Sequence, residues 1–201
     1  MAFIFCLIGK SAVGKDSLYK KLLERTDLQL IPYVTGTTRP IRPGETDGVE
    51  YCFYTEEQLK NLLDGGKIIE LREYQTVYGP WKYFTAYDDD KDIDKKDYLI
   101  IATLESYEGI KKYFGEEKVV PVYIEIDDCE RLLRSVLRER NSETPKIKEV
   151  CRRFLADEKD FSKENLEKAG ITNIFDNNDL DAASETIASF IKTKLEKAYG
   201  A

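Results

Sequence analysis

Continuous apolar runs alternate with amphipathic stretches along this chain. The first run, residues 3–8, is apolar at every position, which is typical of a strand buried on both faces. Further strands are predicted at 28–34, 67–70, 98–104, 119–126 and 171–175. Helices are predicted at 15–24, from 55 to the glycines at 65–66, from 127–128, from 145 towards 166, and at 180–199. Such alternation predicts an α/β fold with a parallel sheet between helices, whose ligands lie beyond the carboxyl ends of the strands.

Two of the predicted helices carry clear local signals. Thr55 and Gln58 form a capping-box pattern at the start of one helix, and the glycine pair at 65–66 ends it. The helix that begins at 127–128 has acidic residues in its first turn and is expected to bury one apolar face. That face comprises Leu132, Leu133, Val136 and Leu137. Residues 88–97 are rich in Asp and Lys, which predicts a solvated loop.

The strongest local signal follows the first strand and directly opens the first helix. Residues 9–17 read Gly-Lys-Ser-Ala-Val-Gly-Lys-Asp-Ser, a phosphate-binding P-loop pattern in the strand-to-helix context that it requires. Glycines let successive backbone N–H groups point at phosphate oxygens, and the helix N-terminus adds partial positive charge. Lys15 adds a full charge. The candidate phosphate-binding residues are Gly9, Ser11, Ala12, Val13, Gly14, Lys15, Asp16 and Ser17.

Asp16 stands where a P-loop usually has the Ser or Thr that helps to hold Mg²⁺. Its carboxylate could bind Mg²⁺ itself, because hard oxygen ligands suit that ion. Alternatively, Asp16 points away and Ser17 supplies the hydroxyl. The sequence leaves both arrangements open, so Asp16 and Ser17 are both candidate metal ligands.

A second segment, residues 35–53, combines paired arginines with a tyrosine. It reads Thr-Gly-Thr-Thr-Arg-Pro-Ile-Arg-Pro-Gly-Glu-Thr-Asp-Gly-Val-Glu-Tyr-Cys-Phe. Arg39 and Arg42 offer two rigid forks suited to a doubly charged phosphate, and Tyr51 and Tyr78 can donate hydrogen bonds to the same group. This segment resembles the acceptor segment of guanylate kinases, Ser/Thr-x-Thr-Thr-Arg-x-x-Arg-x-Gly-Glu, then Gly, then Tyr-x-Phe. It also stands in that family's order and separation from the P-loop, and the resemblance extends more weakly over nearly the whole chain.

The resemblance implies a GMP site in which the two arginines and two tyrosines hold the phosphate. Glu70 then reads guanine, because one carboxylate can accept from both the ring N–H and the amino group. Adenine would leave that carboxylate unpaired at a cost of ~1–3 kcal/mol. The implied GMP-binding residues are Thr35, Arg39, Arg42, Glu45, Tyr51, Glu70, Tyr78, Thr103 and Glu105.

The match to the family weakens near the base. Where the family commonly has a Ser or Thr that contacts the base, this chain has Pro80, which lacks a side-chain donor. Where the family often has Asp-x-Asp, this chain has Thr103-Leu104-Glu105, and Glu105 could act through Mg²⁺-bound water or the base amino group. Both departures leave phosphate binding intact and base selectivity open.

Arginines are concentrated on both sides of residues 141–145. They are Arg131, Arg134, Arg138, Arg140, Arg152 and Arg153. Arginine helices that close over phosphates place charge around the transferred group and exclude water, although each arginine could equally pair with carboxylates such as Asp157 on an ordinary surface. The segment resembles the family's lid, which implies phosphate contacts by Arg138, Arg140 and Arg153. The implied catalytic residues are Lys15, Arg39, Arg138, Arg140 and Arg153.

The same resemblance implies one domain with the three-layer α/β/α architecture of P-loop NTPases. The parallel core is expected at 1–33, 98–127 and 168–201, a small acceptor-binding insertion at about 34–90, and a helical lid at about 134–158. Near the C-terminus, Asn177 resembles the asparagine that meets the base of ATP.

Composition narrows the possible functions. The net charge of −7 and the pI of 4.9 argue against a nucleic-acid partner, which needs a cationic footprint. The absence of histidine excludes Ser-His-Asp and Cys-His catalysis. The four cysteines form no Cys-x-x-Cys pair and are expected to be reduced core thiols of a cytoplasmic protein. No signal peptide is apparent, and no apolar run approaches the ~20 residues of a membrane span.

The leading hypothesis is Mg²⁺-dependent transfer of the γ-phosphoryl group of ATP to GMP by a monomer or homodimer. One alternative keeps the kinase and changes the acceptor to another nucleoside monophosphate or a ribose phosphate. Another is a non-catalytic guanylate-kinase-like binding domain, but Gly14 and Lys15 argue against it because such modules tend to have eroded P-loops.

Overall fold

Strands and helices alternate along most of the chain. The computed structural model describes residues 2–76, 79–88, 91–142 and 144–200. Its strands are β1 (Ile4–Ile8), β2 (Ile31–Pro32), β3 (Gly36–Thr37), β4 (Cys52–Phe53), β5 (Ile68–Thr76), β6 (Gly79–Ala86), β7 (Tyr98–Ala102), β8 (Val119–Glu125) and β9 (Ile174–Asp176). Its helices are α1 (Lys15–Leu23), α2 (Glu56–Asp64), α3 (Leu104–Phe114), α4 (Asp128–Arg140), α5 (Ile147–Asp160), α6 (Lys163–Ala169) and α7 (Leu180–Tyr199).

Five strands form a parallel sheet in the order β2-β7-β1-β8-β9. β1 is buried at all five positions, as its continuous apolar run predicts. Because the strands run in one direction, the segments that follow them meet at one edge of the sheet. The P-loop follows β1 at this edge, Thr103 follows β7, Asp127 follows β8 and Asn177 follows β9.

Apolar side chains cover both faces of this sheet. On one face, α1 and α7 contribute Leu18, Leu22, Ile187 and Ile191 to a core built on β1 and β8. On the other face, α3 and α6 pack over the alternate residues of the same strands. The predicted three-layer α/β/α architecture with a parallel core sheet is therefore confirmed.

A second sheet lies within residues 36–86, in the order β4-β3-β6-β5. Its β5 and β6 pair antiparallel, with Arg72 opposite Tyr83, and β5 packs against α3. A Cβ atom added at Gly109 of α3 would lie 2.6 Å from Cβ of Glu70. The glycine therefore lets β5 approach the helix closely. The domain boundaries themselves stay a prediction.

Several predicted elements are shorter than their patterns suggested. In the segment 28–34 only Ile31–Pro32 pairs with the sheet, and the last strand is Ile174–Asp176 rather than 171–175. The helix expected from 145 towards 166 is interrupted after Asp160, because the side chain of Ser162 accepts from the Asn165 N–H and caps a new helix. The capping box at Thr55 and the bounds 180–199 of the last helix are confirmed.

The predicted apolar face of α4 is buried only in part, because Leu132 and Val136 are half-buried. The residues that α4 buries are Arg131 and Ser135, whereas Leu133 and Leu137 remain 52% and 38% exposed. The reason is electrostatic, because Arg131 lies 3.1 Å from Asp157 of α5 and this ion pair turns α4 towards α5. Hydrophobic periodicity cannot anticipate a helix that is oriented by a buried charge.

The cysteine prediction is correct only in part. All four cysteines are free, but only Cys6 is a buried core thiol. Cys52 is partly exposed, and Cys129 and Cys151 are exposed on α4 and α5. Across the described ranges, none of the helices combines the length and apolar character that crossing a membrane requires.

Candidate active site

The loop between β1 and α1 has the backbone conformation of a phosphate cradle. Ala12 and Gly14 both have positive φ angles, 64° and 91°, which allow successive N–H groups to face inward. A Cβ atom added at Gly14 would collide with the Asn177 side-chain nitrogen, so only glycine fits at this position. The predicted P-loop therefore has both the strand-to-helix context and the turn geometry that phosphate binding needs.

The buried side chain of Asn177 hydrogen bonds the backbone of this loop. Its Nδ2 donates to the Val13 carbonyl at 2.7 Å, its side chain is 2% exposed, and its Oδ1 has no partner among the described residues. The neighbouring residues Asp176 and Asn178, rather than Asn177, line a cavity of about 410 Å³ beside Lys10. Contact between Asn177 and the base of ATP stays a prediction.

The ammonium of Lys15 is enclosed by the loop, although part of the side chain stays exposed. Its Nζ donates to the carbonyl oxygens of Gly9 at 2.6 Å and of Lys10 at 2.9 Å. Removal from water lowers the pKa of Lys15 to about 8, and the nearby carboxylates of Asp16 and Asp157 only partly offset this effect. Lys15 thus lacks an ionic partner strong enough to keep its ordinary pKa, as expected of a group built to meet a phosphate.

Two carboxylates of α5 contact the P-loop directly. Oδ2 of Asp157 accepts from the Ser11 N–H at 2.8 Å, and Oε1 of Glu158 accepts from Lys10 Nζ at 2.5 Å. Arg131, 1% exposed, binds the same two carboxylates at 3.1 and 2.7 Å. Asp157 therefore accepts from the Ser11 N–H, a backbone donor that a phosphate oxygen could otherwise use. From sequence it was expected only as a partner in a surface ion pair.

The lid arginines do not all lie together. Arg138 of α4 and Arg153 of α5 line one small cleft, about 20 Å³ in volume, together with Ser11 of the P-loop. Arg140 is exposed at the last residue of α4. Arg152 is 63% exposed and pairs with Glu149 at 2.7 Å. Arg138 and Arg153 are therefore the predicted lid residues that the structure brings to the P-loop.

Arg39 is a buried residue of the acceptor segment, at 3% exposed. Its two terminal nitrogens donate to both oxygens of Glu45 at 2.6 and 2.7 Å, and its guanidinium lies 5.0 Å from the Tyr51 ring centroid. The bond from Arg39 lowers the pKa of the Glu45 carboxyl. Arg42 is exposed, and its backbone N–H donates to the same carboxylate. The Glu45 carboxylate thus accepts hydrogen bonds from the side chain of Arg39 and from the backbone of Arg42.

Charges of both the acceptor segment and α1 act on Tyr51. Burial raises its pKa, and the negative charge of Asp16 at the start of α1 adds to this effect, while the positive charge of Arg39 opposes it. The acceptor tyrosine and the first turn of α1 therefore lie within electrostatic range of each other. Thr35, also predicted here, is partly exposed, and Tyr78 lies outside the described residues.

Glu70 is the centre of a buried polar cluster. Arg72 binds it with Nε–Oε2 and Nη2–Oε1 distances of 2.9 and 3.4 Å. The hydroxyls of Thr85 and Ser106 donate to Oε1 at 2.6 and 3.0 Å. Arg72 also donates to the Thr103 hydroxyl at 3.0 Å. Glu70 is therefore not a solvated strand charge.

Sequence reasoning missed three residues of this cluster, namely Arg72, Thr85 and Ser106. The period of two along β5 was an available signal, since it places Arg72 on the same face as Glu70. Glu105 is exposed in the first turn of α3. Burial raises the pKa of Tyr74 on β5, and the charge of Glu105 adds to that effect, so Glu105 lies near the same face.

A P-loop at the carboxyl edge of a parallel sheet, with arginine-bearing helices and a segment of paired arginines, is typical of P-loop α/β phosphotransferases. The family model described as Guanylate kinase matches residues 3–194. The chain therefore belongs to the guanylate kinase family.

Individual relatives agree with this assignment. The guanylate kinase of Wolbachia pipientis wMel is 30% identical over 198 residues, covering 96% of this chain and 92% of that protein. That of Wolbachia sp. subsp. Brugia malayi (strain TRS) is 29% identical over 200 residues, covering 98% and 95%. Among solved structures, guanylate kinase from Anaplasma phagocytophilum has the same fold with a TM-score of 0.68 at 21% identity, covering 96% of this chain and 86% of that one.

Proposed function

We propose that this chain transfers the γ-phosphoryl group of ATP to GMP, giving ADP and GDP. Family membership supports the proposal, and one observation of the site carries it. Tyr51 contacts the Arg39 guanidinium, and the negative charge of Asp16 contributes to the raised pKa of Tyr51, so the acceptor segment lies within electrostatic range of the start of α1. Two anionic ligands bound at the P-loop and at Arg39 would therefore meet at their phosphates.

The donor and acceptor phosphates would be held by different kinds of group. Backbone amides of residues 9–14 and the ammonium of Lys15 suit the triphosphate. Arg39, Arg42 and Tyr51 suit the acceptor phosphate. Glu45 and the Pro40 carbonyl take three of the five N–H donors of Arg39, so two donors are left for a phosphate.

Transfer itself needs charge placement rather than covalent chemistry by the protein. No general base is required, because the acceptor oxygen already belongs to an anionic phosphate. Arg138 and Arg153, which line the cleft at Ser11, would balance charge on the transferred group and exclude water. Arg140 would need the lid to move before it could contribute.

Asp16 and Ser17 fit a Mg²⁺ site that the nucleotide completes. Both are exposed in the first turn of α1. Within the described ranges, no group of three or more Asp, Glu, Cys or His side chains could hold a metal unaided. Mg²⁺ commonly binds through one or two protein oxygens and substrate phosphates. Bound there, the ion would neutralise phosphate charge.

An acceptor panel tests the proposal. ADP formation from ATP should be rapid with GMP and slow with AMP, CMP and UMP in a coupled assay. Lys15→Met should abolish it, whereas Lys20→Met, a control on an exposed face of the same helix, should leave it unchanged. Lack of turnover with GMP by the wild-type protein would refute the proposed function.

A second candidate is a kinase of another nucleoside monophosphate or a ribose phosphate. It is favoured by Pro80, which offers the base no side-chain donor, and by Arg72, which pairs with the carboxylate expected to read guanine. Extending the panel to dGMP, IMP and ribose 1,5-bisphosphate separates these candidates, because the preferred acceptor is the one with the highest kcat/KM.

A further inference from the structure

The carboxylate of Asp157 takes a P-loop donor that suits a phosphate. Its Oδ2 accepts from the Ser11 N–H at 2.8 Å, and its side chain is only 14% exposed. Ser11 belongs to the loop whose successive amides suit phosphate oxygens. A backbone amide carries a single N–H donor, so a carboxylate and a phosphate compete for it. Asp157 on the loop and a phosphate at Ser11 therefore exclude each other.

A buried arginine fixes the position of this carboxylate. Arg131 is 1% exposed, with its Nη1 3.1 Å from Oδ2 of Asp157 and its Nη2 2.7 Å from Oε1 of Glu158. Glu158 also accepts from Lys10 Nζ at 2.5 Å. Two successive residues of α5 thus contact two successive residues of the P-loop, one through the backbone of Ser11 and one through the side chain of Lys10.

The space beside these contacts is too small for a phosphoryl group. Ser11, Arg138 and Arg153 line a cleft of about 20 Å³. A single water molecule needs about 10–15 Å³ of such space, so the cleft has room for one water and not for a phosphorus atom with its oxygens. α5 must therefore move away from the loop before the two arginines can face a transferred phosphoryl group.

Asp157 also acts on the charge of the loop. Removal from water is the main cause of the lowered pKa of Lys15, and the negative charge of Asp157 opposes this effect, whereas the positive charge of Arg153 adds to it. Asp157 thus places an acceptor on a loop amide and a negative charge within electrostatic range of Lys15. A bound phosphate would supply the same two features.

We propose that Asp157 is an autoinhibitory substitute for phosphate, which lowers the affinity of the P-loop for polyphosphates by occupying the Ser11 N–H and holding α5 against the loop. This inference rests on the proposed function, since it concerns the donor site of that reaction. A ligand must break the Asp157–Ser11 contact to bind, so its intrinsic affinity is reduced by the fraction of molecules in which the contact is open. One hydrogen bond to a charged group reduces that fraction by about 10–100-fold.

Stopped-flow binding of a non-hydrolysable ATP analogue, fluorescently labelled on its ribose, tests the proposal. Asp157→Asn keeps the shape of the side chain and an oxygen for Arg131, but its neutral amide is a weaker acceptor. This variant should bind the analogue about tenfold more tightly than the wild type. The gain should come from the association rate constant, with dissociation changed less than about threefold, because the contact exists only before binding.

Two further variants complete the test. Asp157→Ala removes the acceptor altogether and should show the same gain or a larger one, so the test does not depend on the folding of a single variant. Glu158→Gln is the matched control, because it removes one negative charge from the next residue and from the same arginine but leaves the Ser11 N–H engaged. Its association rate constant should rise by less than about threefold, since Glu158 is 41% exposed and its charge is screened by water. Unfolding in urea confirms that each variant is folded.

Three results would overturn the proposal. The first is an affinity of the folded Asp157 variants equal to or below that of the wild type. The second is an equal gain in Glu158→Gln, since loss of charge alone would then explain it. The third is a gain confined to the dissociation rate constant, which would place the repulsion in the complex. Faster binding by the Asp157 variants without phosphorylation of GMP would refute the proposed function and leave the autoinhibitory contact standing.

Discussion

Raising the pH from 7 to 9 should weaken ATP binding about tenfold through the ammonium of Lys15. Enclosure by the P-loop lowers the pKa of Lys15 to about 8, so about nine-tenths of the molecules carry the charge at pH 7 and about one-tenth at pH 9. Only the protonated form offers a cation to the outer phosphates. The ratio of these populations gives the tenfold loss, about 1.4 kcal/mol of binding free energy.

The direction follows from linkage. Bound phosphates favour the ammonium and raise the pKa of Lys15 in the complex, so binding above pH 8 must take up a proton. Affinity is therefore level below pH 8 and falls by up to tenfold for each unit above it, until the pKa of the complex is reached. A lysine with its ordinary pKa of about 10.4 would show no such fall.

Titration calorimetry with a non-hydrolysable ATP analogue measures both quantities. Repeating it in two buffers with different ionisation enthalpies counts the protons taken up. Lys15→Arg is the matched control, because arginine keeps its charge across this range and its affinity should be level. Constant affinity in the wild type, or an equal slope in Lys15→Arg, would refute the assignment to Lys15.

Three further changes test the framework of the site. Arg131→Met should lower the free energy of unfolding in urea by about 2–3 kcal/mol, because it leaves Asp157, 14% exposed, without this cation, whereas Asp128 and Glu158 keep their ion pairs with Lys10. Arg152→Met, which breaks an exposed pair, should stay within about 1 kcal/mol. Gly14→Ala should weaken ATP binding at least tenfold in the calorimeter, because its Cβ meets the amide behind the loop. Gly48→Ala, at a similar φ of 80° with open space around it, should cost only about 1–2 kcal/mol of stability and no affinity. Arg39→Lys should raise the KM for GMP about tenfold or more with little change in the KM for ATP, since a lysine cannot reproduce the fork; equal effects on both substrates would contradict its placement in the acceptor site.

The parts of the fold that local sequence controls were predictable. A continuous apolar run gave β1 its buried position, and the capping box at Thr55 placed the start of α2. The P-loop was found because its function depends on backbone geometry, which the glycines and the strand-to-helix context specify together. Arg39 was singled out because paired arginines in a loop rich in proline and glycine suit a doubly charged phosphate, and its role at the acceptor stays a prediction.

The parts that depend on buried charge were not predictable. Arg131 and Asp157 are 26 positions apart, and Arg72 and Thr103 are 31 positions apart. Neither pairing produces a period that a single sequence displays. The sequence pattern therefore did not reveal that α4 buries Arg131 rather than Leu133 and Leu137. It also did not reveal that Arg72 pairs with Glu70, the residue expected to read guanine.

The contacts between α5 and the P-loop would couple the predicted lid to the proposed donor site. Asp157 accepts from the Ser11 N–H, one of the amides that a phosphate oxygen would use, and it also binds Arg131 of α4. The same carboxylate raises the pKa of Lys15, while Arg153 of α5 lowers it. A phosphate that displaces Asp157 from Ser11 therefore changes the partners of both lid helices. Because coupling between two equilibria is reciprocal, the arrangement of α4 and α5 must in turn set the affinity of the loop for phosphate.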